Sequence, residues 1–223
     1  MNYFITGANR GIGLSLARLY QSRGQMVYAT CRDRAAAAEL LETGARVVQL
    51  DVADPSSVEM LRERLGDASI DVLINNAGIS GGGKTLAECN GPELGRIFMT
   101  NSVGPLLVVK ALHPHLERGE RKLIVNLSSQ LGSITNNNGG SSYGYRASKA
   151  ALNMLTRSMA NELGAAGFTC VTMHPGWVRT RMGGDQAPLL PEAAAAMIAE
   201  QIAGFNQSNS GQFRSFDGSH LPW

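Results

Sequence analysis

Short apolar runs alternate with longer amphipathic stretches along this chain. The runs at 3–6, 26–30, 46–50, 72–74, 123–127, 169–173 and 212–216 read as strands. Several lack polar alternation, as expected of strands covered on both faces. Between them the apolar positions recur at helical spacing. Asp54 can cap a helix with Pro55 at its first position; Val58, Leu61 and Leu65 form its stripe, and Gly66 stops it. Leu152, Leu155, Met159 and Leu163 give a second stripe. The alanine runs at 35–38 and 193–196 read as helix formers, and the glycine clusters at 81–83 and 139–140 as loops following strands. Such alternation predicts an α/β, single-domain Rossmann fold over residues 1–223. Its doubly wound parallel sheet would hold about seven strands, with helices on both faces and right-handed crossovers.

Composition narrows the function classes. A chain of 223 residues, 43% hydrophobic, with a mean hydropathy of −0.08, has enough apolar material for one sizeable core. No apolar run approaches the roughly 18 residues of a spanning helix. Tyr3-Phe4-Ile5 runs directly into a glycine turn with no signal-peptide pattern, so a cytoplasmic location without membrane partners is expected. The net charge of +2 and the lack of a dense Lys/Arg run argue against nucleic acid. Cys31, Cys89 and Cys170 are widely spaced and read as reduced thiols, the first and last as small buried residues. His113 and His115 flank Pro114 near a helix end with no third ligand in view, so no metal is expected.

Two motifs bring chemistry. Gly7, Gly11 and Gly13 follow a strand and open a helix, where missing Cβ atoms and free N–H groups suit a pyrophosphate. The acidic residue that NAD-binding units place about 20 residues further on is replaced by Cys31-Arg32. Arg32 and Arg10 can flank a 2′-phosphate, which favours NADP(H). Asp33 competes as a ribose ligand, so NAD(H) stays possible. Much later, Tyr145 and Lys149 stand four apart, on one face of a helix. A nearby ammonium is expected to lower the phenol pKa.

With these residues in place the chain resembles the short-chain dehydrogenase/reductase family from its first strand to its last. Thr6-Gly7-Ala8-Asn9-Arg10-Gly11-Ile12-Gly13 matches the family's cofactor turn, and Asn75-Asn76-Ala77-Gly78 its N-N-A-G element. Asp51-Val52 matches the adenine contact, and Pro175-Gly176 with Val178 and Thr180 the nicotinamide segment. The resemblance implies a catalytic tetrad of Asn101, Ser129, Tyr145 and Lys149, with Ser129 preferred to its neighbour Ser128. Ser129 would polarise a carbonyl, Tyr145 would protonate it, Lys149 would bond the nicotinamide ribose, and Asn101 would hold a water leading to solvent.

Within the family the chain looks like the compact C-factor and sniffer-like reductases at residues 144–153, at His174-Pro175-Gly176-Trp177-Val178 and in Asp217-Gly218-Ser219-His220-Leu221-Pro222-Trp223. Arg181 departs from that pattern, where aspartate is usual. The implied activity is NADP(H)-dependent reduction of a small aldehyde, ketone or diketone. A short lid at 181–190 is expected, with Tyr143, Trp177, Met182 and the 136–138 loop as walls. Packing of Trp177 and Met182 into the core is the alternative. The resemblance also implies a homodimer or homotetramer paired through the helix of Tyr145. The rival reading is an NADP(H)-binding signalling or sensor protein with vestigial activity.

Overall fold

The computed structural model describes residues 1–223. Its strands are β1 (Asn2–Ile5), β2 (Met26–Cys31), β3 (Arg46–Gln49), β4 (Val72–Asn75), β5 (Leu123–Leu127), β6 (Thr169–His174) and β7 (Phe213–Ser215). They form one sheet in the order β3-β2-β1-β4-β5-β6-β7, parallel at every pairing. Each predicted run is a strand, displaced by at most one residue at either end.

The helices are α1 (Gly11–Ser22), α2 (Ala38–Leu41), α3 (Pro55–Glu59), α4 (Leu61–Leu65), α5 (Gly91–Phe98), α6 (Gly104–Glu117), α7 (Tyr143–Leu163) and α8 (Pro191–Gly204). The pleat divides each strand between two cores. Tyr3, Ile5, Val72, Ile74, Val125 and Val171 point to the face covered by α1, α2 and α8. Phe4, Leu73, Ile124 and Cys170 point to the face covered by α3, α4, α6 and α7. Burial on both sides explains the apolar runs without alternation.

Two helix expectations need correction. The predicted helix from Pro55 to Gly66 is broken at Met60, where ψ closes to −11° and separates α3 from α4. Its start is as expected, with Asp54 Oδ1 accepting from Ser56 N at 3.0 Å, and Val58, Leu61 and Leu65 are buried. The first alanine run is mostly not helical, because α2 begins only at Ala38. Asp33 Oδ1 accepts from Ala35 N at 2.9 Å, and this local side-chain turn outcompetes helical propensity.

Candidate active site

The winding reverses between β1 and β4, and the turn beyond β1 sits in the crevice outside those strand ends. It is braced from both neighbours. Thr6 Oγ1 accepts from the N–H groups of Asn76 and Ala77, each at 3.0 Å. Asn76 Nδ2 donates to the carbonyls of Thr6 at 2.8 Å and Gly7 at 2.9 Å. From β2, Thr30 receives Gly7 N at its hydroxyl and Ala8 N at its carbonyl. Gly7 has φ +64°, and a Cβ there would lie 2.9 Å from Ala77 Cα; one at Gly13 would lie 2.5 Å from Asn76 Nδ2. Both positions therefore demand glycine. Gly11 opens α1 with no acidic side chain in its first turn, so the free N–H groups and helix dipole favour an anion. This cradle, with Asn9 and Arg10 on its rim, fits a dinucleotide pyrophosphate.

Arg32 is exposed just past β2, and neither Arg32 nor Arg10 is engaged in an ion pair. Asp33 is occupied by its turn with Ala35. Asp51 is similarly engaged, its Oδ1 accepting from Ala53 N at 2.9 Å. Val52 is buried, and its carbonyl would lie 2.5 Å from a Cβ at Gly104, so α6 starts hard against it.

The second half of the site gathers around α7. Its first N–H groups are capped by a glycine loop rather than by a side chain: Tyr143 N donates to Gly83 O and Gly144 N to Gly82 O, both at 3.0 Å. That capping sets the height at which Tyr145 leaves the helix. Tyr145 and Ser129 line the same cavity, where the Ser129 side chain acts on the phenol to lower its pKa, and Ser129 Oγ accepts from Leu131 N at 3.1 Å. Ser128 instead donates to Asn153 Oδ1 at 2.7 Å within the protein, leaving Ser129 as the serine paired with the phenol.

Lys149 is buried and donates from Nζ to Leu127 O at 2.8 Å, with Nζ 5.9 Å from the Tyr145 ring centroid. Burial pushes the Lys149 pKa down to about 8. Tyr145 contradicts the expected lowering. Its pKa lies above the ordinary phenol value because burial opposes the phenolate, and the Ser129 hydrogen bond offsets this only in part.

Asn101 lies in a π turn (Met99–Val103) between α5 and α6 and is fully buried. Its side chain accepts from Ile79 N at 2.9 Å and donates to Ile79 O at 2.9 Å and to Ser148 Oγ at 3.0 Å. It thereby ties the loop after β4 to α7. A Cβ at Gly78 would lie 3.4 Å from Asn101 Oδ1 and 3.6 Å from Lys149 Nζ, so both groups converge on the side of Gly78 that carries no side chain.

The two halves meet in one cavity of about 640 Å³, bounded by Ile12, Ser129, Tyr145, His174, Trp177 and Met182. Pro175, Gly176, Val178 and Thr180 line it from the segment after β6. Trp177 is 55% and Met182 46% exposed, so they are wall residues and not core. Tyr143 and the 136–138 loop do not line it. Sequence reasoning did not single out His174. This buried residue has an unpartnered Nδ1, and burial pushes its pKa down to about 4. Its place between a strand and Pro175-Gly176 was the available signal. No helix of the structure is long and apolar enough to cross a membrane.

Comparison with known proteins agrees with this geometry. The short chain dehydrogenase family model matches residues 2–188. The C-signal protein of Myxococcus xanthus is 43% identical over 155 residues, covering 69% of this chain and 93% of that protein. The carbonyl reductase Sniffer of D. melanogaster superposes with a TM-score of 0.90 at 33% identity, covering 100% of this chain and 99% of that one. NADPH-bound carbonyl reductase from chicken fatty liver gives a TM-score of 0.92 at 32% identity, with coverage of 100% and 98%. Matched along most of its length and bringing Ser129 and Tyr145 into one cavity with Ile12 of the glycine turn, the chain belongs to the short-chain dehydrogenase/reductase family of oxidoreductases, alongside the C-factor and sniffer-like reductases.

Proposed function

We propose that the protein is an NADP(H)-dependent carbonyl reductase acting on small aldehydes, ketones or diketones. The observation that carries this reading is that Ser129 and Tyr145 line one cavity with Ile12 of the glycine turn and with Pro175, Gly176, Val178 and Thr180. Bound NADPH supplies the hydride. Ser129 and Tyr145 both hydrogen-bond the substrate oxygen, and Ser129 stabilises the negative charge that develops there. Tyr145 gives up its proton as general acid. Burial keeps the phenol in the protonated form that holds the proton to be transferred, while also making it the weaker acid. With the cofactor bound, Lys149 would hold the nicotinamide ribose, and Lys149 and Asn101, both beside Gly78, would pass the replacement proton inward. Arg10 and Arg32, free of carboxylate partners, hold the 2′-phosphate. The exposed walls Trp177 and Met182 and the glycines 183–184 support an open site with modest selectivity. The free cysteines suit a reducing, cytoplasmic setting. The similarity to C-signal supports a second reading, a signalling protein that binds NADP(H) without turnover.

One experiment separates the two: NADPH oxidation against a panel of aldehydes, ketones and diketones, with two variants alongside. Tyr145→Phe is expected to lose about 10²–10⁴-fold in kcat with NADPH affinity unchanged. Arg32→Asp is expected to weaken NADPH binding about 10–100-fold and leave NADH binding nearly untouched. Equal loss of both coenzymes would move the 2′ site away from Arg32. NADPH binding with no turnover across the panel would favour the signalling reading, and a Tyr145→Phe enzyme of near-normal rate would remove the proposed acid.

A further inference from the structure

The segment after β7 is not needed to complete the sheet, yet it is held at both ends of its path by the active-site framework. From Ser215 the chain turns back, with Gly218 N donating to Ser215 O at 3.0 Å and Ser215 N to Ser219 O at 2.8 Å. It then runs antiparallel to β7, bridging Arg214 with His220 and donating from Leu221 N to Phe213 O at 2.9 Å. On the way Phe216 packs edge-on to His174, and its ring atoms would lie 3.1 Å from a Cβ at Gly176. Both of those residues line the cavity.

The return ends at Trp223, whose indole stacks on Phe213 with ring centroids 5.6 Å apart and planes 21° from parallel. That stack places the Trp223 main-chain oxygen where it accepts from Thr135 N at 2.9 Å and from Ser133 Oγ at 3.3 Å. Ser133 is buried and directly follows the single turn Gln130–Gly132. From there the hydrogen bonds lead back without a gap: Ser133 N to Gln130 O at 3.0 Å, Gly132 N to Ser129 O at 2.8 Å, and Leu131 N to Ser129 Oγ at 3.1 Å. The other side of the turn rests on α7. Gly132 O accepts from Asn153 Nδ2 at 3.2 Å, and a Cβ at Gly132 would lie 2.8 Å from Lys149 Cβ. The Ser129 turn is thus clamped between the helix of Tyr145 and Lys149 and the returning segment.

We propose that residues 213–223 brace the Ser129 turn and that Trp223 is a positioning residue. It holds the Ser129 hydroxyl at its working distance from Tyr145 without touching substrate. This rests on the reductase reading for its effect on rate, but the brace itself can be tested without turnover. A misplacement of about 1 Å in a reacting constellation costs up to about 10²-fold, so a loosened clamp should register mainly in kcat.

The test compares wild type with a deletion of Pro222 and Trp223, with Trp223→Ala and with Trp223→Phe. Amide hydrogen exchange across residues 130–136, kcat, KM, NADPH affinity and melting temperature are measured on each. The deletion and Trp223→Ala are expected to speed exchange at Thr135 and its neighbours about tenfold or more while the central strands stay protected. They should also lower kcat about tenfold with NADPH affinity within twofold of wild type. Trp223→Phe keeps the stack and should restore both. Unchanged exchange at 130–136, or a rate loss that merely follows the fraction unfolded and is not restored by phenylalanine, would overturn the brace. Faster local exchange in a protein that turns over nothing would leave the brace standing and count against the reductase reading alone.

Discussion

Lys149 carries an ammonium into the interior with the Leu127 carbonyl as its hydrogen-bond acceptor. Desolvation alone brings its pKa from 10.5 to about 8. Between those values the unfolded chain holds a proton that the folded chain has released, so this residue's contribution to stability rises with pH across that interval. Below pH 8 the burial cost is present in full. Relative to Lys149→Met, wild type should therefore gain about 3 kcal/mol of unfolding free energy from pH 8 to 10.5, read by urea unfolding at both ends. Taking the difference cancels the buried phenols and thiols that titrate nearby, Tyr20 and Cys170 among them, whose raised pKa values act in the opposite direction. A gap between the two proteins that does not change with pH would mean that Lys149 is not desolvated. The same residue shows what spacing alone conveys. The Tyr145-to-Lys149 interval put both on one helix face, but the sign of the Tyr145 shift came from burial that no interval reports.

Among the elements, α7 depends most on something distant in sequence. Its first turn has no side-chain cap, and the carbonyls of residues 82–84 take that place. Gly82 sits at φ +78°, and a Cβ there would lie 2.7 Å from Gly144 Cα. Gly82→Ala should cost about 1–3 kcal/mol and lower kcat, because the helix start must retreat and take Tyr145 with it. Gly139→Ala, at a loop position with nothing within 4 Å, serves as the control and should leave melting temperature and rate unchanged. Equal effects at the two sites would show that the contact with Gly144 is unimportant. The cluster at 81–83 was legible as a loop at the binding edge, since glycine runs announce unusual φ values. Its service as a helix cap was not, because the acceptors and donors are about sixty residues apart. The π turn holding Asn101 was equally hidden: Gly104 against Val52 O and Ser102 bonded to Ser148 O create it from outside the helix.

At the scale of the molecule the question is what covers the outer side of α6 and α7. Between Ser129 and α7 the chain forms only the turn Gln130–Gly132, so no inserted helix lies over that side. A groove of about 370 Å³ runs between the two helices, lined by Leu106, Val109, His113, Met159 and Leu163 among others, and Met154 stands 67% exposed on α7. The expected assembly is a homodimer or homotetramer paired through α7. Light scattering at micromolar concentration should return two or four times the 23.7 kDa of one chain, and a monomer mass would refute it.

The sequence by itself determined the strand runs, the parallel α/β class, the glycine turn and the placing of Tyr145 and Lys149 on one helix face. All of these follow from local rules: apolar periodicity, backbone freedom at glycine, and side-chain spacing along a helix. Only the tertiary structure decided that Ser128 is engaged by Asn153, and that His174 and Trp177 border the cavity. It alone decided that Asp217 to Trp223 folds back onto the Ser129 turn. Each of these is set by hydrogen bonds and close packing between segments far apart in the chain, which exist only once the sheet has brought its strand ends to one edge.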